Sequence, residues 1–187
     1  MKILFLGDVV GISGCSKIIN NLKSEIEKKK IDFVVVNGEN SAQPGVGISE
    51  ENCKDFFNCG VNVITSGNHI WDQKEIMNYI DKENKLLRPY NLFEPSPGKG
   101  FEIYKTSNGI NVGVLNLMGN VFMKKCDDVF ETAKKFLGKH SLKKDYDLLI
   151  VDFHGEITSE KNAIGHFFDG QATLVIGTHT HIPTNDA

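Results

Sequence analysis

The chain repeats one rhythm: a short apolar run stops at glycine, asparagine, serine or an acidic residue, and a helix-like segment follows. Ile3 to Leu6 ends in Gly7-Asp8, Phe33 to Val36 ends in Asn37-Gly38-Glu39-Asn40, and Val61 to Thr65 ends in Ser66-Gly67-Asn68-His69. Between these runs, apolar residues at helical spacing over Ile18 to Ile26 stop at Lys28-Lys29-Lys30. A second helix is expected from a Ser49 N-cap to Gly60, and a third over Asp72 to Ile80. Strand-loop-helix units in succession predict right-handed crossovers and a largely parallel sheet. In such a sheet the loops beyond the strand C-terminal ends converge on one crevice, so the residues that end each run are expected to meet.

After Arg88-Pro89 the pattern changes. Gly100 to Thr106 and Ile110 to Leu117 alternate as strands and are joined by the turn Ser107-Asn108-Gly109, which predicts a hairpin in a second sheet packed on the first. Residues 127–138 read as a helix, Leu148 to Phe153 as a strand ending at His154, Ser159 to Phe168 as a helix, and Thr173 to Ile176 as a strand before Gly177-Thr178-His179.

At 187 residues the chain is expected to form a single domain spanning 1–187, and a domain of this size buries roughly 70% of the surface of its unfolded chain without needing disulfides. A formal net charge of -3 argues against long nucleic acid as a partner, because backbone binding requires a concentrated basic surface. Arg88 is the only arginine. Arginine is the usual bidentate phosphate fork, so a phosphate-handling site here must rely on metal ions, backbone N–H groups or lysine. Cys15, Cys53, Cys59 and Cys126 show no CxxC pairing, which predicts reduced thiols in the cytoplasm. The run before Asp8 is too short for a secretory signal, and no stretch approaches the length of a membrane span.

The chemistry-bearing residues each have a plainer explanation. Asp8 could be a turn or N-cap aspartate, and the glycines around it do not follow GxGxxG. In Glu39-Asn40 a carboxylate able to bridge two cations stands beside an amide oxygen, although Asn37-Gly38 would account for a turn by itself. Asn68 and His69 pair an amide with an imidazole, with a helix N-cap at Asn68 as the competing explanation. His179 and His181 are two residues apart, and an extended backbone would point both rings to the same side. His154, flanked by Asp152 and Glu156, could equally be a satisfied surface histidine, and His140 and His166 read as structural. Jointly the donors are oxygen and nitrogen only, which suits manganese, iron or zinc. Two ions about 3.5 to 4 Å apart can hold a bridging hydroxide and clamp a phosphoryl group for in-line attack.

The segments GDVVG, NGEN, SGNHIWD, DFHGE and GTHTH resemble the calcineurin-like metallophosphoesterases, specifically their bacterial YmdB-type branch of 2',3'-cyclic-nucleotide 2'-phosphodiesterases. The likeness runs from Asp8 to His181. It implies an α/β fold, a four-layer α/β/β/α sandwich. Members of the branch usually continue well beyond the HxH motif, so it also implies a C-terminally shortened form lacking a segment of the second sheet. One metal would be held by Asp8, Glu39, Asn40 and His181, and Glu39 would bridge to a second held also by Asn68, His154 and His179. His69 matches the catalytic histidine, expected to protonate the leaving oxygen or stabilise charge on the phosphoryl group; apart from the resemblance, Asp72 three residues on is read as the group that orients it. Val10 stands where a histidine ligand is common in the wider superfamily, and Glu39 where an aspartate usually bridges. Fewer imidazoles in the first site favour iron or manganese over zinc.

The function implied is hydrolysis of a small 2',3'-cyclic nucleotide to the 3'-nucleotide by attack of a metal-bridging hydroxide. Two competing readings stand beside it: a regulatory metal- or nucleotide-binding module with little turnover, and a nuclease or phosphoprotein phosphatase using the same metals. Homo-oligomer formation is left open, and no membrane partner is expected.

Overall fold

The computed structural model describes residues 1–184. Strands β1 (Ile3–Leu6), β2 (Phe33–Asn37) and β3 (Val63–Thr65) form a parallel sheet in that order. They are joined by α1 (Gly11–Lys29) and α2 (Glu50–Asn58), and a single helical turn, α3 (Ile76–Tyr79), follows β3. The second sheet runs β4 (Phe101–Lys105), β5 (Asn111–Met118), β6 (Leu148–His154) and β7 (Leu174–Thr178). Its β4–β5 pair is antiparallel and the rest parallel, with α4 (Val129–Leu137) and α5 (Thr158–Phe167) as crossovers. The chain is thus a mixed α/β fold with one parallel and one mixed sheet.

Side chains alternate faces along a strand, and here both faces of the central strands are covered. In β2, Val34 and Val36 pack with Leu22 of α1 and Phe56 of α2. Phe33 and Val35 join Val112 and Val114 of β5 and Ile150 of β6 in a separate core shared by the two sheets. The opposite faces of β5 and β6, through Leu115, Leu117, Val151 and Phe153, pack with Phe136 of α4 and Ile164 of α5. Val35, Val114 and Ile150 have no exposed surface, and full burial of each such side chain contributes about 1.5–3 kcal/mol.

Two residues further along each strand, the face shared by the sheets turns polar. Val35 gives way to Asn37, Val63 to Thr65, Val114 to Asn116 and Ile150 to Asp152, all four fully buried. A hydrocarbon core therefore ends in a polar layer at the strand C-terminal ends, beneath the loops that carry the candidate ligands.

The helix predicted over Asp72 to Ile80 shrinks to α3, because residues 67–75 instead form consecutive turns such as Ile70 N to Gly67 O and Asp72 N to His69 O. No helix starts at Asn68. Ser49 caps α2 in a reciprocal capping box with Asn52, and Gly60 follows at φ 109°, where a side chain would be strained. The Ser107–Gly109 hairpin turn forms as expected, with Gly109 at φ 80°. All four cysteines are free thiols. Among the described residues no helix is long and apolar enough to cross a membrane.

Candidate metal centre

The first sheet delivers Asp8 just beyond β1 and Glu39 and Asn40 just beyond β2. These loops are laced together by Val9 N to Asn37 O (3.0 Å) and Gly11 N to Asn40 O (2.8 Å). Glu39 is fully buried; its Oε2 accepts from His69 N at 3.0 Å, while Oε1 has no hydrogen-bond partner. Asn40 donates through Nδ2 to Gly45 O at 2.9 Å, which fixes the amide and leaves its Oδ1 buried and unpartnered. Orphaned buried acceptors are costly unless a cation or donor meets them.

Gly67 makes the close approach of the two sheets possible. A Cβ there would lie 2.2 Å from His154 Cδ2, 2.3 Å from His154 Nε2 and 2.4 Å from Glu39 Oε2. Any side chain at this position would occupy the space between the donors.

From the second sheet, His154 ends β6 with no exposed surface, so it is not the surface histidine that its polar neighbours suggested. Its Nδ1 lies 2.9 Å from Thr178 Oγ1, and that hydroxyl donates to Asp152 Oδ1 at 2.7 Å. Asp152 Oδ2 accepts from Asn37 Nδ2 (2.9 Å) and Thr65 Oγ1 (2.5 Å). Burial pushes the Asp152 carboxyl up to about 6, with the Thr65, Thr178 and Asn37 bonds and the adjacent His154 opposing it. Because the Thr178 proton is committed to Asp152, His154 Nδ1 is the donor to Thr178, and in the neutral ring Nε2 carries the lone pair.

That lone pair faces other acceptors. His154 Nε2 is 2.8 Å from Glu39 Oε1, 3.1 Å from Asn68 Oδ1 and 3.1 Å from His179 Nδ1. His179 Nε2 lies 2.9 Å from Glu156 Oε2, so the ring proton sits on that side and Nδ1 is also bare. The Glu39–His154 distance is that of an ion pair, yet Oε1 lacks a hydrogen bond of acceptable geometry. Burial drives the His154 pKa down, but contact with Glu39 outweighs it and the net shift is up. Burial raises Glu39, and His154 more than reverses this. His179 is pushed down by burial and by His154. Carboxylate, amide and imidazole atoms converging in this way fit a metal ion, which would take the place of a proton on Nε2, and Glu39, His154 and His179 have donor atoms within 4.8 Å of one another.

The outer half is looser. Asp8 accepts from His179 N at 3.0 Å through both carboxylate oxygens, and His181 Nε2 stands 3.8 Å from Asp8 Oδ1. The His181 side chain is 42% exposed. His179 and His181 have φ of 98° and 55°, so the backbone is not extended and the same-side argument from strand geometry fails. The two rings reach different neighbours because β7 ends at Thr178.

His69 sits at the mouth of this cluster. Its Nδ1 lies 2.6 Å from Asp72 Oδ2, and Asp72 Oδ1 is 3.3 Å from Lys124 Nζ, which comes from the loop after β5. Arg88 is buried elsewhere and donates to Pro89, Pro97 and Ser96 carbonyls, so it is not available to a phosphate at this site. His140 stacks near Phe101 and Phe136, in keeping with a structural role. The Asp152–Thr178 support, Glu156 and Lys124 were not identified from sequence. The one available signal was Asp152 itself, an acid in the middle of an apolar strand two residues before His154.

A profile of the YmdB-like proteins matches residues 4–187. Over 186 residues the chain is 41% identical to the 2',3'-cyclic-nucleotide 2'-phosphodiesterase of Bacillus subtilis, covering 100% of this chain and 69% of that protein. A crystal structure of a hypothetical protein from Thermus thermophilus superposes with a TM-score of 0.91 at 35% identity, over 100% of this chain and 71% of that one. A structure described as a novel phosphatase of Mycoplasma pneumoniae gives 0.88 at 39% identity, over 100% and 66%. The chain thus spans about two thirds of the length of these relatives. With sequence, fold and family profile agreeing over nearly its whole length, the chain belongs to the YmdB-like protein family.

Proposed function

We propose that this chain is a single-domain, dinuclear-metal phosphodiesterase that opens 2',3'-cyclic nucleotides to 3'-nucleotides. The observation that carries the reading is the convergence of Glu39 Oε1, His154 Nε2, Asn68 Oδ1 and His179 Nδ1, oxygen and nitrogen atoms able to ligate a cation, with Glu39 Oε1 lacking a hydrogen-bond partner. The activity in the name of the Bacillus subtilis relative supports the substrate class. The three cores support a four-layer α/β/β/α arrangement.

In this reading Asp8, Glu39, Asn40 and His181 hold one ion, and Glu39, Asn68, His154 and His179 hold the other, with iron or manganese preferred for a set without thiolates. When bound, the ions supply water activation and positive charge for the phosphoryl oxygens. Thr178 and Asp152 fix the His154 ring, and Glu156 fixes His179. With His69 protonated, Nδ1 donates to Asp72 and Nε2 holds a proton for the departing 2' oxygen. The phosphorus–O2' bond breaks, water oxygen joins phosphorus, and the phosphate stays on O3'. Lys124, through Asp72, places a positive charge on the same side as His69. Free thiols agree with a cytoplasmic setting.

The test is hydrolysis of 2',3'-cyclic AMP by metal-stripped protein reloaded with manganese or iron, with 2'-AMP and 3'-AMP resolved chromatographically. Metal-dependent 3'-AMP is expected. No product with either metal, or 2'-AMP alone, would refute the assignment.

A further inference from the structure

Residues 119–128 leave the C-terminal end of β5, whose last residue, Met118, pairs with His154. This loop therefore starts at the edge of the candidate centre. Two anchors flank its tip, and Asn91 holds its far end through Asp127. Glu160 of α5, only 7% exposed, accepts from Asn120 N at 2.9 Å and Val121 N at 3.4 Å. Further along, Lys124 Nζ lies 3.3 Å from Asp72 Oδ1, and the other oxygen of Asp72 holds His69.

Between the anchors stands Phe122. It is 85% exposed, the most exposed large apolar side chain among the described residues, and its φ is 61°. A bulky residue enters the left-handed region only where the surrounding structure holds it, and such outliers cluster at ligand-binding sites. A loop with no task beyond reaching α4 would be better served at this φ by glycine or asparagine, which adopt it with little strain and leave no aromatic ring in water.

Resting on the reading of the centre as a cyclic-nucleotide phosphodiesterase, we propose that Phe122 is the shelf on which the nucleobase of the substrate stacks. Phe122 lies two residues from Lys124, a backbone reach of at most about 7 Å. Through Lys124, Asp72 and His69, this places the aromatic residue on the loop that borders the candidate centre. Stacking uses the π-face that every base has, so the shelf binds bases without selecting strongly among them. It also supplies affinity at the base end, where an acidic protein with one buried arginine has little charge to offer.

The test compares Phe122→Ala and Phe122→Trp with the wild type on 2',3'-cyclic AMP and on glycerol 1,2-cyclic phosphate, which has the reacting group and no base. Phe122→Ala is expected to raise KM for the cyclic nucleotide about tenfold, the scale of losing one base–aromatic stack. Its kcat should change little, its kinetics on the base-free ester should match the wild type, and Phe122→Trp should restore the nucleotide KM. An unchanged nucleotide KM in Phe122→Ala would overturn the shelf while leaving the function intact. Equal losses on both substrates would overturn it in favour of a structural role for the loop. A shift in sedimentation without a KM change would overturn it in favour of a contact between copies of the chain. A wild type inactive on both esters would remove the functional reading and the shelf with it.

Discussion

The two halves of the candidate centre are built differently. The deep half, Glu39 with His154 and His179, is centred on a ring that ends β6 and is held by the buried Thr178–Asp152–Asn37–Thr65 network. The outer half, Asp8 with Asn40 and His181, has a histidine that is 42% exposed, stands 3.8 Å from its nearest carboxylate and lies beyond the end of β7 at φ 55°. The His154 ring, held by the end of a strand, is preorganised for an ion. A ring carried on an irregular segment is brought into place by the ion itself, so the deep site should bind more tightly and survive perturbation of the outer one.

The largest effect that could break this contrast is a side chain placed in the deep half. Gly67→Ala puts a methyl group within 2.4 Å of both His154 Nε2 and Glu39 Oε2. Turnover should fall by at least about 100-fold, as expected when donors are displaced by an ångström. Metal analysis of the purified variant should show the deep ion lost. Near-normal metal content would mean the donors do not converge as described.

Thr178→Val tests whether the buried support matters. It removes the hydroxyl linking Asp152 to His154 while conserving volume. Metal affinity should drop about 10- to 100-fold, and urea denaturation should show a loss of about 1–3 kcal/mol from the under-satisfied Asp152. An affinity equal to wild type would show that His154 needs no such orientation.

Asp72→Asn sharpens the comparison from outside both halves and should have the smallest effect on stability. Burial pulls the Asp72 pKa up, but the bonds to His69 and Lys124 win and hold it below the usual range. A carboxylate with a depressed folded pKa stabilises above its unfolded value and loses that contribution as pH falls through the folded one. The melting-temperature gap between wild type and variant should therefore be present at pH 7, be worth less than about 1 kcal/mol for this partly exposed pair, and close below about pH 4. Metal content should be unchanged while kcat falls, since His69 loses its orientation and Lys124 its charged partner, and neither is a proposed ligand. A gap that widens on acidification would contradict the assigned pairing.

The convergence of the candidate ligands was legible because each follows an apolar run directly, and parallel strands place such residues at one edge. Glu39, Asn68, His154 and His179 meet as that argument requires. The polar layer of Asn37, Thr65, Asn116 and Asp152 was not legible, because recognising it requires knowing that the two sheets share a face and extending that face two residues past the last apolar side chain. The Asp72–Lys124 contact joins loops 52 residues apart, and no local pattern encodes such a pair. The rings of His179 and His181 were misjudged because strand alternation was carried one residue beyond the end of β7. The short α3 shows turn hydrogen bonds around Gly67 to Gln73 overriding a helical apolar pattern.

The central claim is that Glu39 joins a tight deep site to a weaker outer one. Native mass spectrometry of manganese-loaded protein tests it most directly, with wild type, His181→Ala and Glu39→Ala compared at the same metal concentration. The account predicts two ions per chain in the wild type, one in His181→Ala and none retained in Glu39→Ala. A wild type that binds a single ion, or a Glu39→Ala variant that keeps two, would contradict it.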